Sequence, residues 1–251
     1  MEKGKLKMKN ILLKLKYDGT NYCGWQKQVN GETVQSVFER RLGELCNEEI
    51  SVTGCSRTDA GVHAREYICN FKTSSMLEPQ IIKRALNATL PKDIAILDAE
   101  HVDDDFHSRF DVKSKTYVYQ ILNSSEHDPF LNDYAYHIKI PLDIEAMNKS
   151  AKYFIGEFDF SAFTTAEGQE KNTVRKITDC NVQKSDNLIA ITVIGESFLH
   201  NMVRIIAGTI ISVGLGKLSP NDISNIIKLG KRENAGATAP AKGLFLQKVE
   251  W

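Results

Sequence analysis

One short polar turn brings together residue types that can do chemistry on a bound molecule. Residues 57–63 (RTDAGVH) place arginine, aspartate and histidine just after a predicted strand. An opposite charge within about 4 to 6 Å lowers the pKa of a carboxyl group, so Arg57 can keep Asp59 ionised as a nucleophile or a base. The alternative is a structural turn, in which Thr58 and Asp59 bond neighbouring amides and Gly61 supplies a positive φ.

Two aromatic clusters can stack on a planar ligand. Tyr117 and Tyr119 alternate along a predicted strand, so both side chains project from the same face. Residues 17–26 (YDGTNYCGWQ) carry further aromatic side chains on a loop that contains glycine. In both clusters the alternative is that the rings pack into the protein core.

Arg204 lies in an apolar predicted helix, between Val203 and Ile205. A guanidinium buried there alone is costly, so it needs a carboxylate or a ligand as its partner. Asp59 would be that partner if the second half of the chain closes over the first. The alternative is an arginine on an exposed face of the helix.

The elements that must position these residues are helices interleaved with short strands. The first half of the sequence predicts strands at 11–17, 50–53, 66–72 and 94–97, with one helix capped by Thr33 and stopped by Asn47 and another from Pro79. The second half of the sequence predicts strands at 115–122, 175–182, 188–194 and 243–249, with helices from Asp143 to a stop at Gly156, over about 198–213 and from Ser219.

This order of elements predicts an α+β protein with two similar sub-domains. Each is expected to be a mainly antiparallel sheet with helices on one face, and the two are expected to lie side by side with an active-site cleft between them. We place the junction after residue 104, at the end of the acidic stretch 98–105, which gives sub-domains 1–104 and 105–251.

The composition limits the class of protein. The 251 residues are 42% hydrophobic and 25% charged, which is typical of soluble globular proteins and excludes a disordered chain. With 32 basic and 32 acidic side chains the net charge is zero, so positive surface must come from local groups such as Lys3 to Lys16. No window approaches the roughly 18 apolar residues of a membrane span, and the first residues do not resemble a signal peptide.

Motifs for several common chemistries are missing from the sequence. It has no G-x-x-x-x-G-K-[ST] loop, no G-x-G-x-x-G fingerprint and no H-E-x-x-H motif, so nucleotide hydrolysis, dinucleotide redox chemistry and metal-assisted hydrolysis are disfavoured. The five cysteines form no C-x-x-C pair. We therefore expect reduced thiols in a cytoplasmic protein, with no disulfide framework and no zinc site.

Seven segments together resemble the bacterial tRNA pseudouridine synthase A family. The segments follow the family's order across nearly the whole chain, at 17–26 (YDGTNYCGWQ), 57–64 (RTDAGVHA), 87–94 (NATLPKDI), 105–110 (DFHSRF), 115–119 (KTYVY), 198–204 (FLHNMVR) and 237–246 (ATAPAKGLFL). One departure precedes the polar turn, where Cys55-Ser56 stands in place of small residues that end in glycine.

The resemblance implies an enzyme that converts uridine to pseudouridine at positions 38, 39 and 40, in the anticodon stem and loop of tRNA. By the same resemblance Asp59 matches the catalytic nucleophile, and Arg57 matches the arginine that fills the gap left by the flipped base. Tyr117 matches the tyrosine that stacks on the uracil. Arg204 matches the arginine that pairs with the catalytic carboxylate.

Further substrate-binding positions follow from the resemblance, at His63, Arg109 and Leu244. The implied reaction breaks the bond between N1 and C1′ and joins C5 to C1′ with no change in redox state, so we expect no cofactor and no metal. The resemblance also implies tRNA as the partner, a homodimer and no membrane. The sequence leaves open whether Asp59 attacks C1′ of the sugar or C6 of the uracil.

Two rival functions remain compatible with the sequence. A non-catalytic RNA-binding or tRNA-chaperone protein on the same fold would not need Asp59. A metal-dependent nuclease would instead use the neighbouring carboxylates of Asp103, Asp104 and Asp105.

Overall fold

The structure, a computed structural model, describes residues 8–165 and 171–251. The chain divides into two units by its internal contacts. Unit 1 comprises Met1–Lys113 and Lys248–Trp251, and unit 2 comprises Ser114–Gln247.

Unit 1 follows the predicted succession of strand, helix, strand, strand, helix, strand. Its elements are β1 (Lys9–Tyr17), α1 (Val34–Cys46), β2 (Val52–Gly54), β3 (His63–Thr73), α2 (Pro79–Thr89) and β4 (Ile94–Val102). The strand order is β4-β1-β3-β2, and all three pairings are antiparallel.

The ends of α1 are set by the residues that the sequence indicates. Thr33 accepts a hydrogen bond from the Ser36 backbone N (3.2 Å), and Ser36 Oγ accepts one from the Thr33 backbone N (3.1 Å). Such a cap stabilises a helix by about 1 kcal/mol. Asn47 ends the helix with a φ of 54°, in the left-handed region that asparagine tolerates.

Unit 2 contains more elements than unit 1. They are β5 (Ser114–Asn123), β6 (Tyr136–Ile138), α3 (Ile144–Lys152), β7 (Gly156–Asp159), β8 (Val174–Ser185), β9 (Leu188–Gly195), α4 (Met202–Gly214), α5 (Asp222–Leu229) and β10 (Leu244–Glu250). The strand order is β10-β5-β9-β8-β7, and β6 joins β5 in parallel. The last residues of β10 belong to unit 1.

The two units share one plan, which confirms the predicted pair of similar α+β sub-domains. Without β6, β7 and α5, unit 2 has the same succession as unit 1, and its order β10-β5-β9-β8 corresponds to β4-β1-β3-β2. In each unit the two helices contact each other, α1 with α2 and α3 with α4. Helices that share one face of a sheet meet in this way.

The division between the units falls later than the predicted boundary after residue 104. Asn10 Nδ2 donates to the Phe106 carbonyl (2.9 Å), and the backbone N and Oγ of Ser108 both donate to Asn70 Oδ1 (2.9 and 2.8 Å). Asn10 lies on β1 and Asn70 on β3. These bonds hold residues 106–108 against the sheet of unit 1.

Some predicted element ends differ in the structure. α4 begins at Met202 rather than near residue 198, because Asn201 has a φ of 60° and cannot continue a right-handed helix. β4 runs to Val102 and includes acidic residues that we expected in the connection. α3 ends at Lys152, and Gly156 opens β7 instead of ending the helix.

The longest helices, α1 and α4, have 13 residues each. Within the described residues, none of the helices has both the length and the apolar character to cross a membrane. Every residue of α4 except Arg204 and Ser212 is buried, so this helix forms much of the core of unit 2.

Candidate active site

The Asp59 turn, residues 55–62, connects β2 to β3 in unit 1. Asp59 is half-buried, Thr58 is buried and Arg57 is exposed. The backbone N of Val62 donates to the Asp59 carbonyl (3.1 Å). Gly61 has a φ of 76°, as the turn chemistry of the sequence predicts. The turn therefore presents a carboxylate and a cation on a defined backbone.

A second segment, the Tyr17 loop (residues 17–26), supports the Asp59 turn through its backbone. The backbone N of Trp25 donates to the Thr58 carbonyl (3.1 Å), and that of Gly61 donates to the Tyr22 carbonyl (3.3 Å). Gly24, with a φ of 87°, packs so closely that a Cβ there would overlap the Thr58 carbonyl oxygen. Only glycine fits at this contact.

Side chains of the Tyr17 loop pack into the core of unit 1. Tyr17, Tyr22 and Trp25 are between 1% and 5% exposed. Trp25 stacks on Tyr67 with ring centroids 4.0 Å apart, and the Tyr67 hydroxyl donates to the Ser56 carbonyl. Of the two interpretations of this loop, packing into the core is therefore the one the structure shows for these three rings.

The buried tyrosine hydroxyl groups of this region have raised pKa values. Burial raises the pKa of Tyr67 well above its usual value. Burial also raises the pKa of Tyr22, whose hydroxyl donates to Asp93 Oδ1 (2.6 Å). Both groups stay protonated across the physiological range and act as hydrogen-bond donors.

The Cys55-Ser56 departure is accommodated without backbone strain. The non-glycine residues with a positive φ, within the part of the chain that the structure describes, are Asn47, Asp186 and Asn201. Ser56 thus has an ordinary conformation. The backbone N of Cys55 donates to the Ile68 carbonyl (3.1 Å), which anchors the start of the turn to β3.

His63 lies under the Tyr17 loop. It is 2% exposed, and its Nδ1 accepts a hydrogen bond from the backbone N of Gly19 (3.1 Å) and lies 3.1 Å from Asp18 Oδ1. In unit 1 the residue thus supports the loop, and its expected contact with the substrate stays a prediction.

Arg109 lies on an exposed turn of unit 1 that the Ser108 bonds to Asn70 hold in place. The neighbouring Phe110 is 74% exposed and stacks on His107, with ring centroids 4.3 Å apart. The sequence analysis missed Phe110, although an aromatic residue next to an arginine in a segment of resemblance was the available signal. Arginine and an exposed ring together suit contact with nucleic acid.

Tyr117 and Tyr119 both lie on β5 in unit 2 and are both buried. Tyr117 is 5% exposed and meets Phe198 edge to face, with centroids 5.1 Å apart. The Tyr119 hydroxyl donates to the Pro240 carbonyl (2.8 Å), and burial raises its pKa. Tyr119 is therefore a core residue, while the stacking role of Tyr117 stays a prediction.

Arg204 is half-buried in the first turn of α4. Its Nε donates to the Ala239 carbonyl (2.8 Å), and one terminal nitrogen donates to Asn201 Oδ1 (2.7 Å). In return the backbone N of Ala239 donates to the Arg204 carbonyl (3.1 Å). The guanidinium is thus oriented within unit 2 by two neutral oxygens that sequence reasoning did not identify.

Residues 236–244 form the support behind Arg204. A Cβ on Gly208 of α4 would overlap the Ala237 carbonyl oxygen, so the helix and this segment meet backbone to backbone. Arg232 donates to the Gly236 carbonyl (2.9 Å) and to Thr238 Oγ1 (3.1 Å). Leu244 follows at the start of β10 and is 5% exposed.

The described residues show neither a disulfide nor a cluster of side chains that could bind a metal ion. All five cysteines are free, and burial raises the pKa of Cys180 to about 12. The described residues contain no group of three or more histidine, cysteine, aspartate or glutamate side chains placed to hold a metal ion, and this includes Asp103 to Asp105.

All of the candidate residues except Tyr117 lie within the match to a known protein family. A family model described as tRNA pseudouridine synthase matches residues 15–111 and 150–251. The chain belongs to the tRNA pseudouridine synthase family. Asp59 lies in the first matched range of that family and Arg204 in the second, whereas Tyr117 lies between them.

Relatives in the tRNA pseudouridine synthase family match nearly the full chain. The chain is 50% identical over 243 residues to tRNA pseudouridine synthase A 2 of Clostridium tetani, with 96% of this chain and 98% of that protein covered. It is 46% identical over 242 residues to tRNA pseudouridine synthase A 2 of Clostridium perfringens, with 96% and 99% covered. The same values hold for tRNA pseudouridine synthase A of Caldicellulosiruptor saccharolyticus. The resemblance read from the sequence is confirmed.

Proposed function

We propose that the protein isomerises uridine to pseudouridine at positions 38, 39 and 40 of tRNA, with Asp59 as the nucleophile. Membership of its family makes it an isomerase that forms pseudouridine in tRNA. The positions in the anticodon stem and loop, and the role of each residue, are the proposal. The observation that carries it is the Asp59 turn, where one carboxylate stands on a backbone fixed by the Tyr17 loop.

The proposed reaction requires no group beyond the protein and the RNA. The Asp59 carboxylate forms a bond to the substrate, at sugar C1′ or uracil C6. The N1 to C1′ bond breaks, the uracil turns, and C5 bonds to C1′. The proton on C5 is then lost, N1 gains a proton, and the carboxylate is released. Atoms and electrons balance, because the product is an isomer of the substrate.

Access to the target base requires it to leave the helical stack, which costs a few kcal/mol. Arg57 is exposed and lies two residues before Asp59, which supports the proposal that its long side chain fills the gap. We propose that Tyr117 covers the flipped uracil and that Arg57, His63, Arg109 and Leu244 add substrate contacts.

Arg204 is proposed as the charge partner of Asp59. Its bonds to Ala239 and Asn201 orient the guanidinium, whose five N–H donors suit a carboxylate. A bonded arginine keeps a carboxylate ionised and aims one oxygen at the reacting carbon.

The experiment compares the purified protein with its Asp59→Ala and Asp59→Asn variants on unmodified tRNA transcripts, with pseudouridine mapped base by base. We expect product at positions 38 to 40 and none from either variant. Asp105→Asn is the matched control, since Asp105 is an exposed carboxylate outside the turn.

Three outcomes would contradict the proposal in different ways. Turnover by Asp59→Ala would favour a non-catalytic role for Asp59. Modification confined to other positions would overturn the assigned site. RNA cleavage that stops in EDTA and in Asp105→Asn would favour the nuclease alternative.

We also propose that the protein works as a homodimer in the cytoplasm, as its resemblance to the family implies. The free cysteines suit a reducing compartment. Light scattering of the purified protein would show the mass of a dimer. The mass of a monomer at working concentration would contradict the proposed homodimer.

A further inference from the structure

A buried pair of hydroxyl groups joins the Tyr17 loop to the Asp59 turn. Tyr17 Oη and Thr58 Oγ1 lie 2.9 Å apart, and the two residues are 4% and 8% exposed. We infer that Tyr17 is a positioning residue, which acts through Thr58 to hold Asp59 in the orientation needed for attack. The inference rests on the proposed role of Asp59 as the nucleophile.

Thr58 is held at two points, and the second one depends on Tyr17. The first point is the Thr58 carbonyl, which accepts from the backbone N of Trp25 (3.1 Å). The second point is the Thr58 hydroxyl, which is bonded to the Tyr17 hydroxyl (2.9 Å). One bond holds the main chain of Thr58 and the other holds its side chain, so together they restrict its torsions more than either bond does alone. The next residue in the chain is Asp59, so its carboxylate is aimed by both bonds.

Tyr17 is itself rigid. It ends β1, where it pairs with Ala64 of β3 and Ile94 of β4. Its ring packs beside the stacked rings of Trp25 and Tyr67, with centroid distances of 6.1 and 5.7 Å. The hydroxyl therefore reaches Thr58 from a fixed base, and a phenylalanine would keep the ring packing while removing the hydroxyl that bonds Thr58.

A misplacement of about 1 Å at a reacting group costs up to about 100-fold in rate. We expect Tyr17→Phe to lower kcat by about 10-fold and to leave KM for tRNA within about 2-fold, because the carboxylate is misaligned while the RNA contacts persist. The matched control is Tyr22→Phe. It removes one buried hydroxyl bond in the same loop, to Asp93 rather than to the turn, and keeps the Tyr22 carbonyl that Gly61 uses.

Variants of Thr58 test the route of the effect. Thr58→Val removes the hydroxyl and keeps the shape, so it should match Tyr17→Phe. Thr58→Ser keeps the hydroxyl and should restore kcat to within about 2-fold of the parent. The double variant Tyr17→Phe with Thr58→Val should be no slower than either single variant, because both remove the same bond. Thermal unfolding of each variant records whether fold stability follows the same pattern.

The results separate this inference from the proposed function. The positioning role is overturned if Tyr17→Phe has the same kcat as the parent, or if Tyr22→Phe lowers kcat as much as Tyr17→Phe does. It is also overturned if the double variant loses kcat by the product of the losses in Tyr17→Phe and Thr58→Val. If Asp59→Ala retains turnover, the proposed function fails first. If Asp59→Ala is inactive and Tyr17→Phe is fully active, only the positioning role fails.

Discussion

At the residue scale, Arg204 is oriented by hydrogen bonds within unit 2. The Ala239 carbonyl and Asn201 Oδ1 hold two of its nitrogens, and Asn201 Nδ2 in turn donates to Thr165 Oγ1 (2.7 Å). Arginine presents its donors in a planar fork that matches the two oxygens of a carboxylate. A preoriented fork loses little entropy on pairing, so the residue suits a fixed charge partner.

We predict that Arg204→Ala lowers the rate of pseudouridine formation by about 100-fold and weakens tRNA binding by less than about 5-fold. The reason is that the proposed partner is Asp59, which acts on the reacting carbon, and not a phosphate of the RNA. Arg204→Lys should recover little, because an ammonium lacks the fork. Single-turnover rates and fluorescence anisotropy with labelled tRNA measure the two effects.

The control for Arg204 is Arg41→Ala. Arg41 pairs with Glu44 on α1 (2.8 Å), a helix that contains none of the candidate residues, so rate and affinity should stay unchanged. Equal losses of rate and affinity in Arg204→Ala would point to RNA binding instead of pairing with Asp59.

Single residues show what a sequence can and cannot reveal about the site. The turn around Asp59 and its glycine follow from local chemistry, so Gly61 was predicted with its positive φ. The bond between Tyr17 and Thr58 joins residues 41 positions apart, and only the pairing of β1 with β3 brings them together. The alternating pattern likewise predicts that Tyr117 and Tyr119 share one face of their strand, but it does not indicate which residues cover that face.

At the element scale, α4 depends on close backbone contact. Gly208 lies where the helix meets Ala237, and Gly236 lies opposite it, so side chains are excluded from both positions. The backbone N of Gly236 donates to Thr209 Oγ1 (2.9 Å) across the same contact. The position of α4 fixes Arg204 through this packing.

We predict that Gly208→Ala destabilises the protein by roughly 2 kcal/mol, because the added methyl group forces α4 away from residues 236–239. The usual gain of about 1 kcal/mol for alanine over glycine in a helix is too small to offset this overlap. Chemical denaturation measures the free energy of unfolding. Ser212→Ala, on the same helix, should change it by less than about 1 kcal/mol. A stabilised Gly208→Ala would show that the contact is looser than described.

The strength of a local signal decided which elements the sequence predicted. α1 has a cap, an apolar face and a stop, and both ends were predicted correctly. β6 and β7 have three and four residues, and both were missed. α4 was predicted several residues too long, since the apolar pattern continues across Asn201 and does not show its positive φ.

At the scale of the whole molecule, zero net charge constrains how RNA can be bound. Part of the lysine-rich start, Lys3 to Lys7, lies outside the described residues. Of the remainder, Lys9 pairs with Glu78 (3.6 Å) and Lys14 with Glu66 (3.7 Å), so these two are less available to phosphates than we expected. Exposed arginines such as Arg57 and Arg109 are then the better candidates.

We predict modest tRNA affinity with a marked dependence on salt. Each phosphate that a cation neutralises releases counterions, and three such contacts lower affinity roughly 40-fold between about 50 and 200 mM salt. Fluorescence anisotropy of a labelled anticodon stem-loop across this range gives the slope of log affinity against log salt concentration.

Two variants identify which cations produce the slope. Arg109→Ala should reduce it by roughly one unit, because an exposed arginine that meets a phosphate releases about one counterion. Lys248→Ala should leave it unchanged, because the Lys248 ammonium already pairs with Glu250 (2.7 Å) and neutralises a carboxylate of the protein. A slope near zero in the parent would mean that stacking and base contacts, not local positive charge, hold the RNA on a protein whose charges balance.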